Sequence, residues 1–404
     1  MEEKAGPKVL FISGSIGMGH VTRDLEIAKE LRRIFPKMEV VWMAEDAAAR
    51  YLRDSGEVLL PDCSKLPSSN AIAENHASDY KMTLSEVWFE WIKTFPERAK
   101  VYCEAAKREK VDLVVADETY DLFTEIEKHP EIKQFPYVLI LDFIGVYQER
   151  KTPLHLLGSY MFNRQWCNFI LDPKLHDGLI FIGEVDDVPH KKFGLFLPDR
   201  REVSEKYVDF VGFAFPFDPR DYSNPGKVKS DLGYGKEPLV ICSVGGTAAA
   251  KPLLDLCAKA YPIAKKTIPN LKMVLVGGPR IDPESIQKAD GVDVKGYVPQ
   301  LYKHLAAADL CISAGGFTTL EITALNRPFL YFPLEKHFEQ EIDVGDRLIR
   351  HKAGKRMTFS ETTPEMLAKQ IVDNVGKNVD YIPLPLDGAK RSAEIIAKCL
   401  PQNS

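Results

Sequence analysis

Short apolar runs rich in β-branched residues recur along the chain, each followed by a longer stretch in which apolar residues return every three or four positions. KVLFIS at 8–13 leads into a helical pattern near 21–34, and EVVWMA at 39–44 into one near 46–54; DLVVAD at 112–117 and YVLILD at 137–142 continue the series. Strands alternating with crossover helices predict a parallel sheet covered by helices on both faces. A helical stretch over 82–109 contains Pro96, which should kink or divide it.

The alternation restarts after FAFPFDPRDYSNPGK at 213–227, a Pro/Asp-rich passage that reads as a linker. Beyond it come LVICSV, a helix at 251–267, KMVLVGG, a short VDVKGY strand, a helix at 299–307, DLCISAGG, a helix at 317–325 and PFLYFP. The expected class is therefore α/β, with two Rossmann-like domains: 1–215, 216–384, and a terminal amphipathic helix within 385–404 that returns to the first domain.

Composition narrows the function. A chain of 404 residues, 45% hydrophobic and 27% charged, can bury two cores of about 200 residues each. A formal net charge of −5 lacks the basic surplus of a nucleic-acid binder. The seven cysteines are scattered without a C-x-x-C pair, which argues against a disulfide framework or zinc site and for a reducing cytoplasm. No stretch reaches the roughly 18 to 20 apolar residues of a spanning helix, so any membrane contact is expected to be peripheral.

FISGSIGMGHV at 11–21 is an apolar run followed by three glycines and a histidine. The dinucleotide fingerprint is G-x-G-x-x-G with an acid about 20 residues on. Here the register is G-x-x-G-x-G, although Glu39 or Glu45 could serve as the acid. What the spacing does predict is a tight turn from strand to helix. Gly17 and Gly19 would leave room for a polar group to approach, and His20 would stand at the helix start either as a solvated residue or as a functional one.

Three stretches of the second half fit together. Gly245, Gly246 and Thr247 close the strand LVICSV, where small residues let amides and a hydroxyl approach phosphate oxygens. Gly315, Gly316, Phe317 and Thr318 open a helix after DLCISA, with the carboxylate of Glu321 one turn inside. LEKHFEQEID at 334–343 crowds His337, Glu339, Gln340 and Glu341 after the last strand. All three lie at the C-terminal ends of predicted parallel strands, where open α/β sheets bind ligands.

Val298-Pro299-Gln300, the block GGFTTLE ending at Glu321, Pro328, and Pro333 followed seven residues later by Gln340 resemble the donor-binding signature of inverting GT-B glycosyltransferases. The resemblance extends to UDP-glycosyltransferases and to the peptidoglycan N-acetylglucosaminyltransferase, the last spacing being more like the latter. It implies two Rossmann-like domains with parallel sheets facing a central cleft, and a nucleotide-sugar donor, UDP-linked by analogy, as co-substrate. By the same resemblance the two glycine blocks with Thr247, Phe317 and Thr318 would hold the diphosphate, and Glu321 the ribose. Tyr297 and Val298 would meet the base, and Gln340 with Glu339 or Glu341 the sugar. Ser313 stands where the plant signature has a phosphate-contacting histidine, which leaves that duty to the glycines and hydroxyls.

His20 then becomes a candidate general base, since imidazole titrates near pH 6.5. Asp117 is the candidate to orient it and Asp142 the competitor, though either could simply cap a helix. No D-x-D motif is present, Asp186-Asp187 having the wrong spacing, so neither metal nor cofactor is expected. The acceptor is open. The aromatic stretch from Tyr160 to Phe169 and KKFGLFLPDRR at 191–201 could face a lipid-linked acceptor or membrane surface, or be core and rim. A nucleotide-sugar epimerase of the same architecture and a non-catalytic sugar-nucleotide-binding subunit are the alternatives.

Overall fold

The computed structural model describes residues 6–14, 17–147 and 152–401. The strands, in chain order, are β1 (Lys8–Ile12), β2 (Glu39–Met43), β3 (Val58–Leu59), β4 (Ala77–Ser78), β5 (Lys81–Met82), β6 (Leu113–Asp117), β7 (Tyr137–Leu141), β8 (Gly178–Ile182) and β9 (Asp209–Gly212). The series continues with β10 (Leu239–Ser243), β11 (Lys272–Val276), β12 (Val292–Lys295), β13 (Leu310–Ala314), β14 (Phe329–Phe332) and β15 (Lys355–Arg356).

Two compact units result. The first comprises residues 1–72, 85–216 and 385–404, and the second 73–84 and 217–384. The first unit holds a seven-stranded sheet in the order β3-β2-β1-β6-β7-β8-β9, the second a six-stranded sheet in the order β12-β11-β10-β13-β14-β15. The pairings within both sheets are parallel. Their central strands are buried on both faces, which is why β6, β7, β10 and β13 read as nearly unbroken apolar runs.

In each sheet the chain winds outward from one central strand and then reverses. The reversal falls between β1 and β6 in the first unit and between β10 and β13 in the second. Loops leaving adjacent strands at such a point diverge to opposite faces and open a crevice, the usual ligand position in doubly wound sheets.

The 82–109 stretch divides before Pro96 into Leu84–Trp91, a 3₁₀ turn and Phe95–Glu109. Proline in a first turn forfeits an N–H that has no helical partner anyway. The aromatic stretch lies on a helix, Pro153–Leu171, whose Phe162, Trp166 and Phe169 face the core while Met161 faces solvent. The terminal helix Gly388–Cys399 packs on Gly19–Ile34 within the first unit.

Residues 73–84 leave the first unit and join the second, which no periodicity signals. Asp79 and Tyr80, at φ 48° and 64°, make the two-residue turn of the β4–β5 hairpin. Tyr80 anchors it: the ring is buried against Phe359, and the hydroxyl donates to the Phe332 carbonyl at 2.6 Å. All seven cysteines are free thiols.

Candidate active site

In the first unit, β1 ends in the glycine loop and the helix Gly19–Ile34 begins beside it. Ser15 and Ile16 of the loop lie outside the described residues. Gly17 has φ +85°, a conformation glycine adopts without penalty, and its amide donates to Asn70 at 3.3 Å. Gly14 matters for space: a Cβ there would stand 2.8 Å from His20 Cγ and 3.2 Å from the Asp117 carbonyl oxygen. The missing side chain is what lets the imidazole lie against the end of β6.

His20 Nδ1 is 3.3 Å from Asp117 Oδ1, and Nε2 is 3.7 Å from Glu118 Oε2. Arg23, one turn further along the helix and buried, donates through Nε and Nη2 to both Asp117 oxygens, at 2.7 and 2.5 Å. Its Nη1 reaches Asp142 at 2.9 Å, and Nη2 also lies 2.9 Å from His20 Nδ1. A guanidinium only donates, so Arg23 and the Asp117 carboxylate make opposite demands on Nδ1. In the tautomer that gives Nδ1–H to Asp117, the lone pair of Nε2 is free.

The carboxyls of this cluster are driven apart in acidity. Burial alone would raise Asp117, but the charges of Arg23 and then His20 outweigh it and hold the group well below the usual range. Asp142 is likewise brought to about 2, burial being overcome by Arg23. Glu118, which accepts from the Asp142 amide at 3.3 Å, goes the other way, pushed well up by burial and by the neighbouring Asp142 charge. Asp24, fully buried and accepting from Ser13 Oγ at 2.6 Å, is also raised by burial and by Asp117. Glu118 carries φ +49°, a strained conformation for a residue with a Cβ. Sequence reasoning passed over it between Asp117 and Asp142; nothing in the letters D-E-T-Y separates the two acids.

Glu39 and Glu45, the acids a dinucleotide site would need, are otherwise engaged. Glu39 pairs with Lys8 at 2.8 Å, and Glu45 pairs with buried Arg98 and accepts from the Ser69 amide.

In the second unit, β10 and β13 are neighbours with Ser243 opposite Ser313, so the loops 244–247 and 315–318 leave adjacent strand ends. Gly245 has φ +79°, and Thr247 Oγ1 accepts from the Ala249 amide as the cap of the following turn. Gly315 is packed so closely that a Cβ would stand 2.9 Å from Pro333 Cα and 3.1 Å from Gln340 Oε1, while Gly316 faces open space. Thr318 begins the short helix Thr318–Ala324, with Phe317 as its cap. Burial raises the Glu321 carboxyl to about 8.

Glu339, Gln340 and Glu341 lie on a π-helical turn, Glu339–Asp343, a departure from α geometry that recurs at functional sites. Gln340 Oε1 accepts from the Leu334 amide at 2.9 Å, which leaves its amide nitrogen as the group that can meet a ligand. Burial pushes Glu341 up and brings buried His337 down to about 4. Tyr297 is exposed and Val298 partly so, on the loop after β12.

Two second-unit residues escaped the sequence reading. Arg280, in the loop after β11, donates Nε to Glu74 Oε1 at 2.7 Å and Nη2 to Oε2 at 2.6 Å, and Oε1 also accepts from the Ala248 amide at 3.0 Å. Glu74 belongs to the segment 73–84, so only the tertiary arrangement brings it to the Gly245–Thr247 loop.

Solved structures share this architecture. The glycosyltransferase of kitacinnamycin matches with a TM-score of 0.62 at 18% identity, over 99% of this chain and all of that one. Acinetobacter baumannii MurG matches with a TM-score of 0.50 at 13% identity, over 98% and 99%. The Streptomyces glycosyltransferase SsfS6, solved with thymidine diphosphate, gives 0.53 at 15% identity, over 97% and 96%. The shared fold is GT-B, and the sequence matches that follow are to glycosyltransferases. Residues 240–392 match the glycosyltransferase family 28 C-terminal domain. An uncharacterized glycosyltransferase of Methanosarcina mazei is 25% identical over 96% of this chain and 97% of its own length. Another from the same organism is 28% identical over 54% of this chain and 59% of its own.

Proposed function

We propose that the protein moves a sugar, with inversion, from a uridine diphosphate donor to an acceptor hydroxyl, with His20 as general base. The supporting observation is the placement of His20 at the switch point of the first sheet, with Nδ1 at 3.3 Å from a buried, ionised Asp117. In the tautomer that donates to Asp117, Nε2 takes the acceptor proton as the acceptor oxygen bonds to the anomeric carbon and the bond to the diphosphate breaks. Asp117 holds the ring and stabilises the imidazolium.

The donor would lie along the loops after β10, β13 and β14. Amides of Gly245, Gly246, Gly315 and Gly316 with the Thr247 and Thr318 hydroxyls would meet the diphosphate, and Phe317 would close over it. Glu321 would take the ribose diol, the backbone at Tyr297 and Val298 the base, and Gln340, Glu339 and Glu341 the sugar hydroxyls. Developing charge on the leaving diphosphate would be met by preorganised amide donors, with no metal or cofactor required of the chain.

The acceptor we propose is lipid-linked and reached at a membrane surface. No helix among the described residues is long and apolar enough to cross a membrane. The first unit nevertheless exposes Leu154, Leu157, Met161, Leu195 and Phe196, the last 91% exposed, with the cations Lys191 and Lys192 nearby. Tyr160 touches Gly194, which brings the helix and loop into one patch. Exposed apolar groups beside basic ones suit an anionic membrane.

The decisive test is His20→Ala, assayed for sugar transfer and, separately, for donor binding. Turnover should fall by about 10²-fold or more with donor affinity unchanged. Full activity in the variant would remove His20 from the chemistry, and donor epimerisation without any acceptor would favour the epimerase reading.

A further inference from the structure

Glu74 and Arg280 form an anion site whose present occupant is part of the chain. The site has three parts. The Ala248 amide opens the 3₁₀ turn that leads into the helix Lys251–Lys265, so its N–H has no partner within the turn and donates outward, at the positive end of a helix dipole, to Glu74. The Arg280 guanidinium offers two parallel N–H groups, the geometry that suits a carboxylate or a phosphate equally. The third part is the contact that brings these donors together. Gly278, at φ +74°, lies so near the other loop that a Cβ would stand 2.2 Å from the Gly245 carbonyl oxygen. Only glycine permits that approach, and it sets Arg280 two residues on beside the start of the β10 loop.

The Glu74 carboxylate fills this cradle, one oxygen shared between the Ala248 amide and Arg280 Nε, the other on Nη2. Its side chain and that of Arg280 are 20% and 22% exposed, so the pair remains open to exchange with solvent and solutes.

We propose that Arg280 and the Ala248 amide are a seat for a phosphate of the nucleoside diphosphate, and that Glu74 is an internal anion which that phosphate displaces. This rests on the assignment of the Gly245–Thr247 loop to the diphosphate. Glu74 thereby lowers apparent donor affinity by the fraction of time it holds the cradle. It also couples donor arrival to the segment 73–84, because the diphosphate frees one of that segment's attachments. Tyr80, whose hydroxyl holds the Phe332 carbonyl, keeps the hairpin in place when Glu74 leaves.

The test is calorimetric titration of the full chain with uridine diphosphate, comparing wild type, Glu74→Ala, Glu74→Gln and Arg280→Ala. Loss of an internal competitor should tighten binding in both Glu74 variants by about tenfold or more, and Arg280→Ala should weaken it by a similar factor. Glu74→Gln keeps the size of the side chain and guards against misfolding in the alanine variant, with unchanged melting as the check. Equal or weaker binding in both Glu74 variants, with wild type binding normally, would overturn the displacement and make Glu74 a tether only. Failure of all four proteins to bind would instead refute the donor-site assignment itself.

Discussion

Glu321 offers the most quantitative handle on the proposed donor site. Its carboxyl is raised from the ordinary 4.5 to about 8, and burial is the sole cause. A group titrating near 8 is roughly nine-tenths protonated at pH 7. A ribose diol donates hydrogen bonds, which favour the ionised carboxylate and pull its pKa back down. Binding of uridine diphosphate at pH 7 should therefore release close to one proton from this residue. It should also tighten by about tenfold as the pH rises from 7 to 9, because each pKa unit corresponds to about 1.4 kcal/mol.

The sign for folding is opposite. The unfolded carboxyl ionises near 4.5 while the folded one retains its proton, so stability without nucleotide declines as the pH climbs from about 4.5 towards about 8. The assay is calorimetry in two buffers of different ionisation enthalpy at several pH values, with Glu321→Gln as the control that subtracts titration of the phosphate. Proton release and affinity that do not depend on pH, or that persist unchanged in Glu321→Gln, would refute the assignment of the ribose to this residue.

Other variants probe the first unit. Gly14→Ala would put a methyl 2.8 Å from His20 Cγ and should cut transfer about tenfold or more while leaving donor binding intact, as steady-state kinetics and titration would show. Glu118→Gly relieves φ +49° and removes a buried carboxyl; unfolding free energy should hold or rise by about 1 kcal/mol, with a melting temperature that does not fall. Transfer by that variant should fall, whereas unaltered activity would make Glu118 only a bystander. Replacing Leu195 and Phe196 together by serine should reduce cosedimentation with anionic vesicles without altering the melting temperature.

Much of this molecule is legible in its letters. The alternation of β-branched runs with helical periodicity requires parallel sheets, because only crossover helices can bury strands that are apolar on both faces. The glycine blocks, Glu321 and the EQE turn stand out as a set because each follows a predicted strand end, and the structure places the 244–247 and 315–318 loops at adjacent strand ends. Periodicity was silent where a residue's role depends on what lies across from it. Gly14 gains its importance from an imidazole six positions on and from the end of a strand more than 100 residues away, and Arg23 from His20 on its own helix and from two carboxylates more than 90 residues on.

The sequence by itself determined the class of fold and which glycine loops follow the ends of parallel strands, because both follow from short-range pattern and from glycine's freedom. Only the tertiary structure decided the electrostatics. Whether a carboxyl is ionised depends on burial and on charges brought from elsewhere in the chain, so Asp117 and Glu118, adjacent and chemically alike, are driven in opposite directions. The same holds for Glu74, unremarkable in SNAIAEN, which meets Arg280 more than 200 residues on because the chain between them folds back.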